Sequence, residues 1–192
     1  MESVLLDTPE GITARLAWDP KVPEQDRRRH LAKQLVADRL RVEPGEVRVD
    51  REAPGAYGFQ PRMVAEVAGE EVPLVIDTAS FRGATVVAVS EPGLLLGLDV
   101  RDAHPDEAEL RTMRRHSHLW DENDLAGLIA HWTRVQAVRD ADGRGAKVAA
   151  DKVRLNSPLT KGWIGDRQVE YRLTDLSRDG WIITLAHAPA PA

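Results

Sequence analysis

Residues 94–100, Leu-Leu-Leu-Gly-Leu-Asp-Val, form an apolar run interrupted by one glycine and one carboxylate. Some thirty residues later, residues 131–145 read His-Trp-Thr-Arg-Val-Gln-Ala-Val-Arg-Asp-Ala-Asp-Gly-Arg-Gly. The first segment, bounded by Glu91-Pro92-Gly93, reads as a buried strand with Asp99 near its end. The second completes a helical stripe of Leu125, Leu128, Ile129, Trp132 and Val135, with Gly143 and Gly145 to stop it. A buried strand carrying one acid, followed by a helix with an aromatic anchor, requires a fold in which helix and strand cover each other.

The rest of the chain supplies the partners. Ile12–Trp18 alternates as a strand closed by Asp19-Pro20. Pro23, the acids Glu24 and Asp26, and apolar Leu31, Leu35, Val36 and Leu40 predict an amphipathic helix ending at Pro44-Gly45. Short strands are expected at 47–49, 63–67 and 74–76. Residues 84–89 and 94–100 are expected to pair as a hairpin around Glu91-Pro92-Gly93. Pro105 opens a short helix to about Arg115, and Asp121 is the expected cap of the longer one. Strands at 169–173 and 181–186 close the chain. Strand–helix–strands thus occurs twice, dividing near residues 90–95, which predicts an α+β protein rather than a doubly wound parallel sheet.

Composition narrows the function classes. The 192 residues carry a net charge of −5, with 26 cationic residues of which only five are lysines. That balance gives no general case for nucleic acid or an anionic membrane as partner. The absence of cysteine excludes disulfides, thiolate metal sites and thiol nucleophiles. No window approaches the ~20 apolar residues of a membrane-spanning helix, and the first residues lack a signal-peptide pattern, so a cytoplasmic location is expected.

The residues from Gly97-Leu98-Asp99-Val100 to Trp132-Thr133 and Gly143-Arg144-Gly145 resemble the signature of the 4′-phosphopantetheinyl transferase superfamily, G-[IVL]-D-[IV]-E followed by W-[TS]-x-K-E-A-x-x-K-x-x-G-x-G. Arg27–Leu40 looks like the family's basic helix. Gly58-Phe59-Gln60-Pro61 falls where many members have a Gly-Lys-Pro-like turn, and Ile76–Ser80 where they have N-x-S-H-S. The resemblance implies two α/β lobes related by a pseudo-twofold, here residues 1–92 and 93–192, with a cleft between them. It also implies transfer of phosphopantetheine from coenzyme A to a carrier-protein serine, with Mg²⁺ held by carboxylates of the strand and helix motifs.

The frame of the pattern is kept and its chemistry is not. Asp99 remains as a candidate metal ligand, but Arg101 replaces the second strand carboxylate and Gln136 the helix glutamate. Residues 99 and 101 share a strand face, so the guanidinium points at the metal pocket. A unit charge ~5 Å from a divalent ion is repelled by about 7 kcal/mol at an effective dielectric of 20. Gln136 cannot serve as a general base at neutral pH. Val135 and Asp140 stand at the two lysine positions, Ala79 at a nucleotide-binding histidine, and Gln60 at a lysine. Mg²⁺ binding is therefore expected to be lost.

Each residue also has a structural reading. Trp132 reads as core, and Arg27-Arg28-Arg29 as a solvated helix face or a phosphate contact. Asp99 reads as a strand-end polar group or a retained site residue. Arg101 reads as an anion ligand or an ion-pair partner of Asp99 or Asp140. His116, His118 and Asp121 lack a clear third ligand for a metal. Asp99, Arg101 and Gln136 are the candidate, degenerate catalytic positions, and Arg27, Arg28, Ser80 and Arg139 the candidate substrate contacts.

The leading expectation is a transferase-like protein that binds coenzyme A or a carrier-tethered phosphopantetheine or acyl chain without Mg²⁺. It would act as a pseudoenzyme or with repurposed chemistry in polyketide or non-ribosomal peptide biosynthesis. Two alternatives stay open. One is an active holo-carrier-protein synthase with a rebuilt metal site, for which Asp99 and Asp140 are the candidate ligands. The other is a non-catalytic module that binds acyl or peptidyl carrier proteins.

Overall fold

The computed structural model describes residues 1–54, 59–116 and 124–192, and these form a mixed α+β fold. Three sheets and three α-helices are present among the described residues. The first half comprises β1 (Val4–Leu5), β2 (Ile12–Trp18), α1 (Glu24–Leu40), β3 (Val47–Ala53), β4 (Arg62–Val67), β5 (Glu70–Glu71), β6 (Val75–Phe81) and β7 (Ala84–Ser90). The second comprises β8 (Leu94–Asp102), α2 (Glu107–Arg115), α3 (Leu125–Asp142), β9 (Val153–Leu155), β10 (Lys161–Ile164), β11 (Glu170–Asp175) and β12 (Trp181–Pro189).

One sheet has the order β1-β2-β7-β6 and a second β8-β12-β11-β10-β9, while β3-β4-β5 form a small third. All pairings among these strands are antiparallel. The order of pairing repeats. β2 leads into α1, and the later β6–β7 hairpin returns β7 to lie beside β2. β8 leads through α2 into α3, and the β11–β12 hairpin returns β12 to lie beside β8.

The expected hairpin between residues 84–89 and 94–100 is corrected. β7 is already paired on both edges, with β2 and β6, so β8 has no edge to join and pairs with β12 instead. Glu91-Pro92-Gly93 carries the chain from one sheet to the other. The two larger sheets then pack through one shared core. Ile12, Ala14 and Leu16 of β2 and Val86 of β7 meet Leu96, Leu98 and Val100 of β8 and Ile183 and Leu185 of β12. Burying each of the valine, leucine and isoleucine side chains contributes about 1.5–3 kcal/mol.

Strand alternation sends the remaining faces outward to the helices. Val87 and Val89 pack with Leu31, Leu35 and Val36 of α1. On the other side α3 lays Ile129, Trp132, Val135 and Val138 over the second sheet. Trp132 is core, as its structural reading predicts, and stacks on His116 with ring centroids 5.5 Å apart. Gly97 permits the close fit: a Cβ there would lie 2.2 Å from both the Ala137 carbonyl oxygen and the Ala141 amide nitrogen. Gly143 ends α3 at φ +86°, a left-handed cap that favours glycine. The N-cap of α3 is Asp124, whose side chain accepts from the Gly127 N–H at 2.9 Å. Asp121, expected in that role, lies outside the described residues, as do Gly58, Ser117 and His118. The short helix starts at Glu107 rather than Pro105, because Asp106 and Glu109 form a capping box.

Candidate functional site

A cavity of about 420 Å³ opens where α1, β4, β6, β8 and α3 come together. Strand alternation and helix periodicity place four acids on its walls: Glu52, Asp77, Asp99 and Asp140. Arg28 and Arg62 supply cations, and Gln60, Thr78 and Ser80 supply neutral polar groups. Asp99, Arg28 and Ser80, expected from sequence as site residues, are therefore brought together, with Gln60, Ala79 and Asp140 at the same cavity.

Each of the three aspartates has a distinct partner. Asp99 is held by Arg101 in a two-pronged pair, Nε to Oδ2 at 3.0 Å and Nη2 to Oδ1 at 3.1 Å. The Arg101 guanidinium also lies 5.1 Å from the centre of the Phe81 ring. Of the readings open for Arg101, the structure takes the ion pair with Asp99. Asp140 accepts the Leu98 backbone N–H at 3.0 Å, tying α3 to β8. Asp77 pairs with Arg62 at 3.1 Å, and the same guanidinium donates to the carbonyls of Leu96 and Asp140.

Electrostatics follow from this crowding. Burial pushes the Asp99 carboxyl up to about 6, opposed by the charge and hydrogen bonds of Arg101. Burial raises Asp77 well above the usual carboxylate range, and the neighbouring Asp140 adds to the rise against the pull of Arg62. Asp77 Oδ2 is buried without a hydrogen-bond partner among the described residues. Asp77 is thus a buried acid at a cavity wall whose charged form burial disfavours and Arg62 favours.

The remaining predicted residues lie elsewhere. Arg27 is 3 % exposed and serves the fold: its guanidinium donates to Thr85 Oγ1 and to the carbonyls of Asp19, Val22 and Arg82. Its neighbour Arg28 is the member of the arginine run that reaches the cavity. Gln136 and Arg139, one turn apart on α3, bond each other at 2.9 Å. Burial lowers Arg139 from its ordinary value, and the charge of Asp99 offsets part of that.

The residues do not fit the Mg²⁺ that the resemblance implies. Both oxygens of Asp99 are engaged by a guanidinium, Asp140 is turned to a backbone amide, and Gln136 offers its oxygen to Arg139. No group of three His, Asp or Glu side chains among the described residues is arranged to hold a metal ion.

Arg62 and Asp77 are the residues that sequence reasoning missed. A signal existed in Asp77, a lone acid inside the otherwise uncharged Leu74–Ser80 run. Arg62 carried none, since its role depends on where the preceding turn is anchored. That anchor is the Gln60 N–H, which donates to the Gly143 carbonyl at 2.7 Å. No family model and no curated protein matches the chain.

Proposed function

We propose that this chain is a transfer-incompetent relative of the phosphopantetheinyl transferases, binding the phosphopantetheine arm of coenzyme A or of a carrier protein without metal. In this reading residues 1–92 and 93–192 are two lobes related by a pseudo-twofold. The repeated order of strand pairing supports that division, and the cavity lies where both halves contribute walls. The observation that carries the proposal is the guanidinium of Arg101 locked on Asp99, the strand carboxylate that the resemblance assigns to the metal.

With the metal replaced by an internal cation, a pyrophosphate has nothing to bridge it to the acids. The cavity instead suits the amide-rich arm. Gln60, Thr78 and Ser80 line it with neutral hydrogen-bonding groups that can pair with the amides of the arm. Arg28, which lines the cavity and touches the half-exposed Glu24 through Nε at 3.4 Å, supplies a cation for the terminal phosphate. Such a protein would hold or present an arm, in the manner of a pseudoenzyme, and the carrier protein is the proposed partner.

The test pairs two measurements. Coenzyme A and pantetheine are titrated calorimetrically in EDTA, and apo carrier proteins are incubated with coenzyme A and Mg²⁺ before intact-mass analysis. Binding of both small molecules in EDTA, with no mass gain on the carriers, is expected. A phosphopantetheine mass increment at an enzymatic rate would establish the rebuilt-site alternative instead. Failure of both small molecules to bind would leave the carrier-interaction module.

A further inference from the structure

A second cavity, of about 610 Å³, lies outside the site described above, between the turn after α3 and the outer edge of the second sheet. Its walls carry Arg144, Lys147, Lys152 and Arg154 against the single acid Asp166, over an apolar floor of Val148 and Ile164. Two of the five lysines of a chain with net charge −5 are thus gathered at one cavity.

The acids nearby are already committed. Arg144 binds the buried Asp142 through Nε and Nη2 and grips Asp166 through Nη1 and Nη2 at 2.7 and 2.9 Å. Arg167 Nε also lies 3.5 Å from Asp142, so two guanidiniums answer these two carboxylates. Arg154 donates one N–H to the backbone carbonyl of Asp151. Lys147 and Lys152 have no carboxylate partner among the described residues, and both are exposed. Three cations consequently face the cavity without a countercharge. Like charges held together in a concave site raise the local concentration of anions.

We infer that this cavity is a binding site for a phosphate-bearing small molecule, independent of the reading given to the central cavity. Three uncompensated cations match a multiply charged anion; one carboxylate would satisfy one of them. Lysine ammonium groups serve as point-charge phosphate binders. Val148 and Ile164, 6 % and 2 % exposed, supply the apolar floor on which the rest of such a ligand would lie.

The test titrates inorganic pyrophosphate, and citrate as a carboxylate of similar charge, into the full chain by calorimetry. It compares wild type, Lys147→Ala/Lys152→Ala, Arg154→Gln, and Lys21→Ala as an exposed-lysine control remote from both cavities. Pyrophosphate should bind wild type and Lys21→Ala alike, at least tenfold more weakly to the double variant, and more weakly to Arg154→Gln. Its affinity should fall steeply with salt. An unchanged melting temperature in the double variant checks that the fold persists, and Arg154→Gln gives a second reading if it does not. No pyrophosphate binding, binding unaffected by the lysine and Arg154 changes, or citrate binding as tightly as pyrophosphate would overturn the inference.

Discussion

The two cavities of this protein are built in opposite ways. The central one carries four acids and two arginines and rests on strands and helices packed on both sides. The outer one carries four cations and one acid and rests on short turns and a sheet edge. In the centre, Asp77 and Asp99 are answered by guanidinium groups and Asp140 by a backbone amide, so each aspartate there has an internal partner. At the edge, the single acid is absorbed by Arg144 and the lysines are left open. Burial explains the contrast: an unpaired charge is costly in a packed interior and nearly free at a solvated rim.

That difference can be broken most forcefully at Gly97. A valine there would drive its side chain into the backbone of α3, and a loss of about 3 kcal/mol or more is expected in chemical denaturation. Because β8 and α3 both carry walls of the central cavity, a wild-type unfolding midpoint in Gly97→Val would mean the helix does not pack as described.

Removing Arg62 tests the internal charge balance. Arg62→Ala leaves Asp77 beside Asp140 without its cation, and about 2 kcal/mol of stability should be lost at pH 7. The loss should shrink on acidification as Asp77, whose carboxyl burial holds above the usual range, takes up a proton. A loss that is independent of pH would show that Arg62 acts by packing alone.

The pH dependence of Asp99 sharpens the same point. Its folded-state value is raised from 3.8 to about 6, so between those values the native state binds more protons than the unfolded chain. Stability relative to Asp99→Asn should therefore be greatest near pH 4. It should fall as the pH rises through 6, by up to about 3 kcal/mol for a shift of that size. A rise over the same interval would reverse the assignment of burial as the dominant cause.

The smallest stability effect is expected at Arg28. Its i,i+4 contact with Glu24 is partly exposed, so Arg28→Ala should change stability by less than about 0.5 kcal/mol. Under the proposed function the same change weakens coenzyme A binding about tenfold. Equal affinity for the two forms would remove Arg28 from the site.

Much of this was legible from local pattern. β2 and α1 follow from alternation and from the helical stripe of Leu31, Leu35 and Val36, and Asp99, Arg28 and Ser80, each a candidate site residue from sequence, line one cavity. What escaped was long-range. Glu91-Pro92-Gly93 is the same turn signal whether the chain folds back or crosses between sheets, and β2 and β6 occupy both edges of β7. Residues 153–155 and 161–164 become strands only by pairing, being too short to show a period. Arg27 and Arg28 are adjacent in sequence, yet α1 turns one into the interior and the other to the cavity.

Under the proposed function the Arg101 guanidinium takes the place of a divalent cation on Asp99, and manganese binding tests that central claim most directly. Mn²⁺ titrated into the wild-type protein at neutral pH, followed by electron paramagnetic resonance, should give the spectrum of the free ion throughout. The Arg101→Glu/Gln136→Glu variant, which puts carboxylates at the two further positions that the resemblance assigns to the metal, should bind one ion. Stoichiometric binding to wild type, abolished by Asp99→Asn, would contradict the account.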